Sequence, residues 1–134
     1  ADATHTGPSG SGGVMKVVTN MYVNASTALI AEMLLTGEKA GLSQEVMRHC
    51  LPKGSVRGAM LDMSLDPVFN RDFTARGAVE IFVKDMGIAI DLAKDNGIEL
   101  QVVPAARAMF QKAEAAGWGK DDATRVLEVY EGKA

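Results

Sequence analysis

The sequence predicts an all-α domain built around two long helices, at about residues 13–36 and 77–96. Both segments place apolar residues at helical spacing, which is typical of helices that bury one face. The single strand-like run, 98–103, is too short and isolated to build a sheet. Eight methionines and an aromatic content of only 5% favour close helix packing. With 134 residues, 47% of them apolar, the chain can form one domain with a substantial core.

The first long helix follows a segment that contains several helix breakers. Residues 1–13 hold four glycines and Pro8, so we expect a loop there. Residues 14–35 contain neither glycine nor proline, and the region of Gly37 and Gly41 is expected to end the helix. At 100° per residue, five apolar residues fall in one arc of about 120°. They are Val17, Met21, Ala25, Ala28 and Leu29.

Two short helices are predicted next. Ser43 is a suitable N-cap for a helix that runs toward Leu51 and ends at Pro52. A further short helix is expected over 56–63. Residues 65–72 are expected to form a loop, because Asp-Pro and Asn favour turns.

The second long helix has the clearest apolar face in the chain. The residues that share it are Val79, Phe82, Met86, Ala89, Ile90 and Ala93. Asn96-Gly97 is expected to stop this helix in the left-handed conformation. Pro104 fits the first turn of a helix that continues to about Ala116. Asp121 or Asp122 is then expected to cap a last helix that reaches Tyr130, which gives five to seven helices in all.

Composition excludes several classes of function. The net charge of -3 argues against binding a phosphate backbone, so no nucleic-acid partner is expected. His49 and Cys50 are adjacent and His5 is far from both, so no metal site is expected. Cys50, the lone cysteine, is expected to be a small core residue. Apolar runs are far below the ~18–20 residues that span a bilayer, and the chain start lacks signal-peptide features. We therefore expect a cytoplasmic protein with no membrane partner.

The glycine-rich segment 7–13 invites comparison with phosphate-binding loops. It lacks the Gly-Lys-Ser/Thr end of a P-loop, and Met15 stands where a dinucleotide fingerprint starting at Gly10 needs its last glycine. A flexible loop before a helix N-terminus remains, and the free N–H groups of such a terminus favour anions. A plain linker is equally compatible with this segment.

A row of polar residues follows on the first helix, opposite the apolar arc. Lys16 and Asn20 are one turn apart, so both can reach one small ligand. A lysine can give a proton to a nascent alkoxide, and an asparagine can hold the lysine or a substrate oxygen. An ordinary solvated face is the alternative. Because Thr19, Asn24 and Thr27 stand where Glu and Lys are usual, the row favours a partly buried groove.

Residues 7–20 resemble the catalytic motif of the β-hydroxyacid dehydrogenases. This family includes 3-hydroxyisobutyrate dehydrogenase, tartronate semialdehyde reductase and 6-phosphogluconate dehydrogenase. Its pattern is Gly-x-x-Gly-x-Gly, then lysine four residues after the last glycine and asparagine four further on. The matching residues here are Gly7, Gly10, Gly12, Lys16 and Asn20. Lys84-Asp85-Met86, with alanines spaced after it, resembles the second signature of the family.

The resemblance, which covers the chain from Thr4 onward, implies a fold like the C-terminal domain of 6-phosphogluconate dehydrogenase. Residues 1–12 would end an inter-domain connection, and 13–134 would form a C-terminal helical domain for catalysis and oligomerisation. An N-terminal dinucleotide-binding domain would lie outside this chain and would bind most of the NAD or NADP. The implied function is interconversion of a small β-hydroxyacid and its semialdehyde or keto form. The isolated chain is expected to be inactive, and a homo-oligomer is expected.

The resemblance also implies roles for particular residues. Lys16 and Asn20 would be catalytic, and Lys84 and Asp85 would bind the cofactor. The substrate would be bound by Gly10, Ser11, Gly12 and Asn20.

Departures from the family pattern leave the substrate open. In 6-phosphogluconate dehydrogenase, a histidine and a glutamate stand at the places of Thr19 and Val23. A second asparagine is usual at the place of Thr19 in 3-hydroxyisobutyrate dehydrogenase. The competing hypothesis is a non-enzymatic helical dimerisation or interaction module that retains the fold of the family.

Overall fold

The computed structural model describes residues 4–134; the first three residues of the predicted connection, 1–3, lie outside the described part. Six α-helices follow one another along the chain. They are α1 (Ser11–Lys39), α2 (Gln44–Cys50), α3 (Ala59–Asn70), α4 (Val79–Asp95), α5 (Val102–Ala113) and α6 (Val126–Tyr130). Short 3₁₀ or π turns continue α2 and α5 and precede α6. Within 4–134 there is no β-strand beyond one isolated bridge, so the all-α prediction agrees with the structure.

Helix α1 is longer at both ends than the sequence predicts. It begins at Ser11, directly after Gly10 in the left-handed conformation (φ 94°), and it includes Gly12, Gly13 and Gly37. Gly37 does not end the helix because its missing side chain makes room for α2. A Cβ atom at this position would lie 2.7 Å from the sulfur of buried Met47.

The buried face of α1 differs from the predicted apolar arc. Leu29 belongs to the predicted arc, yet its side chain is 63% exposed. The residues of α1 that are buried are Asn24, Thr27, Ala28, Ile30, Ala31 and Leu34. Helix α1 packs against α3, α4, α5 and α6, so its core face is set by these neighbours. The predicted polar row therefore continues into the core instead of lying opposite to it.

The prediction of a loop over 65–72 is wrong for most of that segment. Helix α3 runs through Pro67 to Asn70, and Arg71 ends it in the left-handed conformation (φ 54°). Leu65, Val68 and Phe69 are buried by this arrangement. Burial of a large apolar side chain stabilises a protein by about 1.5–3 kcal/mol, so three of them outweigh the ~3 kcal/mol cost of an internal proline. The region predicted as helix over 56–58 is a turn.

Helix α4 agrees closely with its predicted bounds and its predicted apolar face. Val79 and Met86 are fully buried, and Ala89 and Ala93 are nearly so. Gly97 follows with φ 73°, as expected for the stop signal.

One predicted core residue, Cys50, is exposed at the end of α2. The core residues of this region are Met47 and Leu61, which lie on the inner faces of α2 and α3. No helix in the described part of the chain has both the length and the apolar character needed to cross a bilayer.

Candidate active site

Helices α1 and α4 bring residues from the two ends of the predicted site into one cleft. Its lining comes half from each helix, and its volume is about 150 Å³. The lining residues are Lys16, Val17, Asn20, Lys84, Asp85 and Ile88. The structure therefore places four of the predicted site residues side by side, although Lys16 and Lys84 are 68 positions apart in the sequence.

A hydrogen bond across the cleft joins the two helices. The side-chain Nδ2 of Asn20 donates to Oδ2 of Asp85 at 2.9 Å. The other carboxylate oxygen of Asp85 lies 3.5 Å from Nζ of Lys84. The side chain of Asp85 is 19% exposed and that of Lys84 is 66% exposed, so the carboxylate lies inside the cleft and the ammonium at its rim.

Lys16 is exposed on the other wall of the cleft. Within residues 4–134 it takes part in none of the ion pairs or side-chain hydrogen bonds that the structure contains. Two ammonium groups and one carboxylate border the cleft, so its charge is positive. Such a cleft suits a ligand that carries a carboxylate or another negative group.

The glycine loop lies on a different side of α1. Gly10 and Ser11 line a separate depression of about 500 Å³ together with Thr6, Val14 and Met15, among others. Gly12 lines neither this depression nor the Lys16 cleft. The structure thus does not bring the predicted substrate-binding residues of the loop into the same cleft as Lys16 and Asn20.

The polar row on α1 forms a groove only at its N-terminal end. Thr19 is exposed, and its hydroxyl donates back to the carbonyl oxygen of Met15 at 2.9 Å. Thr27 is buried and donates in the same way to Val23. Asn24 is also buried, and its amide nitrogen has no hydrogen-bond partner among the described residues. The expected groove is therefore limited to Asn20 and the residues around it.

The apolar walls of the cleft, Val17 and Ile88, were not predicted from the sequence. Ile88 lies one turn after Lys84, and Val17 is the neighbour of Lys16. The helical spacing indicates that Ile88 shares a side with Lys84, but not that Val17 shares one with Lys16, because adjacent residues point about 100° apart. It contains no signal that the two sides face one another.

The size of the cleft limits what it can hold. Binding sites that enclose a drug-sized ligand usually have volumes of about 300–1,000 Å³, so this cleft fits only one end of a dinucleotide. Lys84 at the rim suits that end, because its ammonium can pair with phosphate or carbonyl oxygens. In residues 4–134, no three His, Cys, Asp or Glu side chains lie close enough together to hold a metal ion.

A larger groove lies between α1 and α5, away from the predicted site residues. Its volume is about 670 Å³ and its lining is mostly apolar, with Tyr22, Leu29 and Val102 among the contributors. Tyr130 and Glu32 form one edge. Burial raises the pKa of Tyr130 to about 12, and the charge of Glu32 contributes to the shift.

The curated proteins that the chain resembles include dehydrogenases. The chain is 30% identical over 131 residues to 2-(hydroxymethyl)glutarate dehydrogenase of Eubacterium barkeri, covering 97% of this chain and 44% of the relative. It is 31% identical over 123 residues to L-threonate dehydrogenase of Haemophilus influenzae, covering 92% and 41%. The chain thus spans less than half the length of these curated relatives.

The fold also matches a solved structure. A crystal structure of 3-hydroxyisobutyrate dehydrogenase from Salmonella typhimurium superposes with a TM-score of 0.85 at 31% identity. The match covers 90% of this chain and 42% of that one.

A family model matches nearly the whole chain. Residues 10–130 match the model described as NAD-binding of NADP-dependent 3-hydroxyisobutyrate dehydrogenase. This description confirms the prediction of NAD or NADP as cofactor. It also attributes NAD binding to the matched segment, whereas the resemblance implies that another domain makes most of the cofactor contacts. The chain therefore belongs to the family of NAD-binding segments of NADP-dependent 3-hydroxyisobutyrate dehydrogenases.

Proposed function

We propose that this chain is the C-terminal helical half of an NAD(P)-dependent β-hydroxyacid dehydrogenase and supplies its proton-transfer lysine. The observation that carries the proposal is the cleft in which Lys16 and Asn20 of α1 meet Lys84 and Asp85 of α4. Lys16 and Asn20 of one family signature and Lys84 and Asp85 of the other, distant in sequence, line one positively charged cleft. A β-hydroxyacid substrate carries the complementary carboxylate.

In the proposed reaction, Lys16 moves the proton of the substrate hydroxyl. Oxidation of the hydroxyacid removes a hydride from the carbon and a proton from the oxygen. A bound NAD(P), held at one end by Lys84, would supply the hydride acceptor or donor. In the oxidation the neutral amine of Lys16 accepts the hydroxyl proton and becomes an ammonium, and in the reduction the ammonium returns the proton to the oxygen; the group is exposed to the cleft and free of ion pairs within 4–134.

Asn20 and Lys84 have supporting roles in this proposal. Asn20 orients the amine of Lys16 or the substrate oxygen, because it lies one turn further along the same side of α1. Lys84 places a positive charge at the rim, where the cofactor approaches. Asp85 accepts a hydrogen bond from Asn20. Of the two residues predicted to bind the cofactor, we therefore assign that role mainly to Lys84.

The start of α1 is proposed to bind the substrate carboxylate. The N–H of Ser11 donates to the carbonyl oxygen of Pro8, so among the described residues the N–H groups of Gly12 and Gly13 are those left for a ligand, and the helix dipole favours a negative charge there. Gly12 precedes Lys16 by four residues, so it lies above the lysine along the helix. Gly10 and Ser11 complete this end of the helix, and the absence of side chains at the glycines allows close approach.

A separate dinucleotide-binding half is part of the proposal. The described residues contain no strand and no Gly-x-Gly-x-x-Gly turn, the unit that holds the pyrophosphate in dinucleotide-binding folds. The cleft is also too small for a whole dinucleotide. The relatives' greater length leaves room for such a domain.

The alternative, a non-enzymatic interaction module, is favoured by one observation: Val14, Val18, Tyr22 and Leu29 form an exposed apolar face on α1. Assembly through that face does not require a positively charged cleft with a lysine that is free of ion pairs within 4–134, and the cleft is what favours the enzyme.

Comparison of the isolated chain with a longer protein tests the proposal. We expect the 134-residue chain to show no turnover with small β-hydroxyacids and to bind NAD(P) more weakly than micromolar by calorimetry. Fused to a dinucleotide-binding half from a family member, the chain should reduce NAD(P)⁺ with at least one hydroxyacid of a small panel. Turnover or micromolar cofactor binding by the isolated chain would contradict the division between two halves. A well-folded fusion that binds cofactor but oxidises none of the panel would contradict the dehydrogenase function.

A further inference from the structure

We propose that Asp85 is a positioning residue that fixes the orientation of the Asn20 amide, so that Asn20 offers its oxygen to Lys16. The inference rests on the proposed function for its catalytic meaning. It changes the role of Asp85 from a cofactor contact to a partner of Asn20.

Only one orientation of the Asn20 amide allows the hydrogen bond between α1 and α4. An ionised carboxylate accepts hydrogen bonds but donates none. Asn20 therefore presents its NH₂ group to Asp85, and the observed contact joins Nδ2 to Oδ2 at 2.9 Å. The reversed amide would place its oxygen against the carboxylate and create a repulsion in a part-buried site.

Both oxygens of Asp85 are engaged by this chain. Oδ2 accepts from Asn20, and Oδ1 lies 3.5 Å from the ammonium of Lys84. With 19% exposure, the carboxylate faces inward. A carboxylate held in this way is suited to orienting its neighbours, whereas contact with a cofactor would require it to leave them.

The fixed orientation of the Asn20 amide determines which of its atoms is available to Lys16. An ammonium group has three donors and no acceptor, so it can pair with the amide oxygen and not with the NH₂ group. Since Asp85 holds the NH₂ group, Oδ1 of Asn20 is left for a donor in the cleft. The lysine lies one turn before Asn20 on the same side of α1. Asp85 on α4, 65 positions away from Asn20 in the sequence, thus controls where the ammonium of Lys16 is held.

Exchanging the side chains of Asn20 and Asp85 distinguishes a positioning role of Asp85 from a purely structural role. Asn20→Asp opposes two carboxylates and should lower the melting temperature of the 134-residue chain. The double variant Asn20→Asp/Asp85→Asn restores a donor–acceptor pair between the helices and should recover most of the melting temperature. It nevertheless presents a carboxylate to Lys16 in place of an amide oxygen.

Kinetics of the full-length enzyme then give the decisive result. We expect kcat of the double variant to remain reduced by about 10²-fold, within the usual contribution of proton transfer. Because the carboxylate moves from position 85 to position 20, one turn from Lys16, it stabilises the charged form of that lysine more strongly, and the pH–rate profile should move to higher pH. Recovery of kcat together with the melting temperature would show that Asp85 only supports the fold and would overturn the proposal.

A measurement on the isolated chain does not depend on the enzymatic function. In the ¹H–¹⁵N spectrum, Asp85→Ala should shift the side-chain NH₂ signals of Asn20, and the control Asp91→Ala on the same helix should not. Unchanged Asn20 signals in Asp85→Ala would overturn the positioning role even if the enzyme is a dehydrogenase. Shifted signals, combined with normal turnover of a Lys16→Ala enzyme, would preserve the contact and refute the proposed function instead.

Discussion

Asp122 illustrates how a single side chain stabilises this fold. Its carboxylate accepts hydrogen bonds from the backbone N–H groups of Arg76 and Gly77 at 2.8 and 3.3 Å. It also accepts from the N–H and hydroxyl groups of Thr124 at 3.1 and 2.6 Å. The residue is 5% exposed, so these groups have little access to water. Asp122 therefore caps the turn before α6 and holds the segment before α4.

We predict that Asp122→Ala lowers the free energy of unfolding by on the order of 3 kcal/mol, because it leaves several buried donors unpaired. Denaturation in guanidinium chloride followed by circular dichroism measures the loss. Asp121→Ala is the matched control. That neighbour is more exposed and pairs with Arg125, and its loss should cost less than about 1 kcal/mol. Equal losses in the two variants would show that the hydrogen bonds of Asp122 are not important.

Individual site residues could be anticipated from the sequence only along one helix. The spacing of Lys16 and Asn20 predicts that they share a side of α1, and both line the cleft. The bond from Asn20 to Asp85 was not predicted, since helical spacing carries no information about which residues of another helix are opposite. Gly10 and Ser11 precede Lys16 closely in sequence, but they line another depression because they lie on another side of α1.

At the level of elements, α4 could be predicted and α3 could not. The bounds and the buried face of α4 follow from its apolar spacing and from the stop at Gly97. In α3, Pro67 and Asn70 suggest a turn, and local signals fail because tertiary burial of Leu65 and Phe69 outweighs them. Gly37 is a similar case, since its place inside α1 depends on Met47 of another helix.

The contact between α1 and α6 gives a prediction about pH. Burial raises the pKa of Tyr130 from 10.0 to about 12, with an added contribution from the charge of Glu32. Below pH 10 the phenol is neutral in both the folded and the unfolded chain, so it has no effect on the pH dependence. As the pH rises from 10 toward 12, the unfolded chain releases this proton first and is thereby favoured.

We therefore expect the free energy of unfolding to fall between pH 10 and 11, and to fall less in Tyr130→Phe. Urea denaturation at pH 9, 10 and 11 measures both slopes. The phenylalanine variant keeps the ring and removes the titrating hydroxyl, so other alkaline titrations cancel in the comparison. Identical slopes for the two proteins would contradict the stabilisation of the neutral phenol by burial.

An apolar surface formed by α1 and α5 is exposed to solvent. Val14, Val18, Tyr22 and Leu29 follow one another on one side of α1 and are 48%, 52%, 69% and 63% exposed. Val102 of α5 adjoins Tyr22 and Leu29 across the groove and is 71% exposed. A continuous apolar patch of this kind is typical of an interface. We propose that a second copy of the chain covers it, in line with the oligomerisation role that the resemblance implies.

We predict that the chain sediments as a dimer or a larger assembly at high micromolar concentration, and that Leu29→Glu converts it to a monomer. A charge introduced in the centre of the patch would have to be buried without a partner on association. Met63→Glu is the control, because Met63 is equally exposed (60%) but lies on α3, outside this surface. A wild-type chain that is a clean monomer at high micromolar concentration would refute self-association through this face.

The claim that Lys16 transfers the proton can be tested by the kinetics of Lys16→Ala in the full-length enzyme. We expect kcat to fall by about 10²–10⁴-fold with little change in KM, because proton transfer acts in the transition state. Lys16→Arg should fail as well, since guanidinium does not release its proton near neutral pH. Lys39→Ala, at the other end of α1, should retain normal activity. The melting temperature should be unchanged in all three variants, since both lysines are exposed. A Lys16→Ala enzyme with near-normal kcat would contradict the claim.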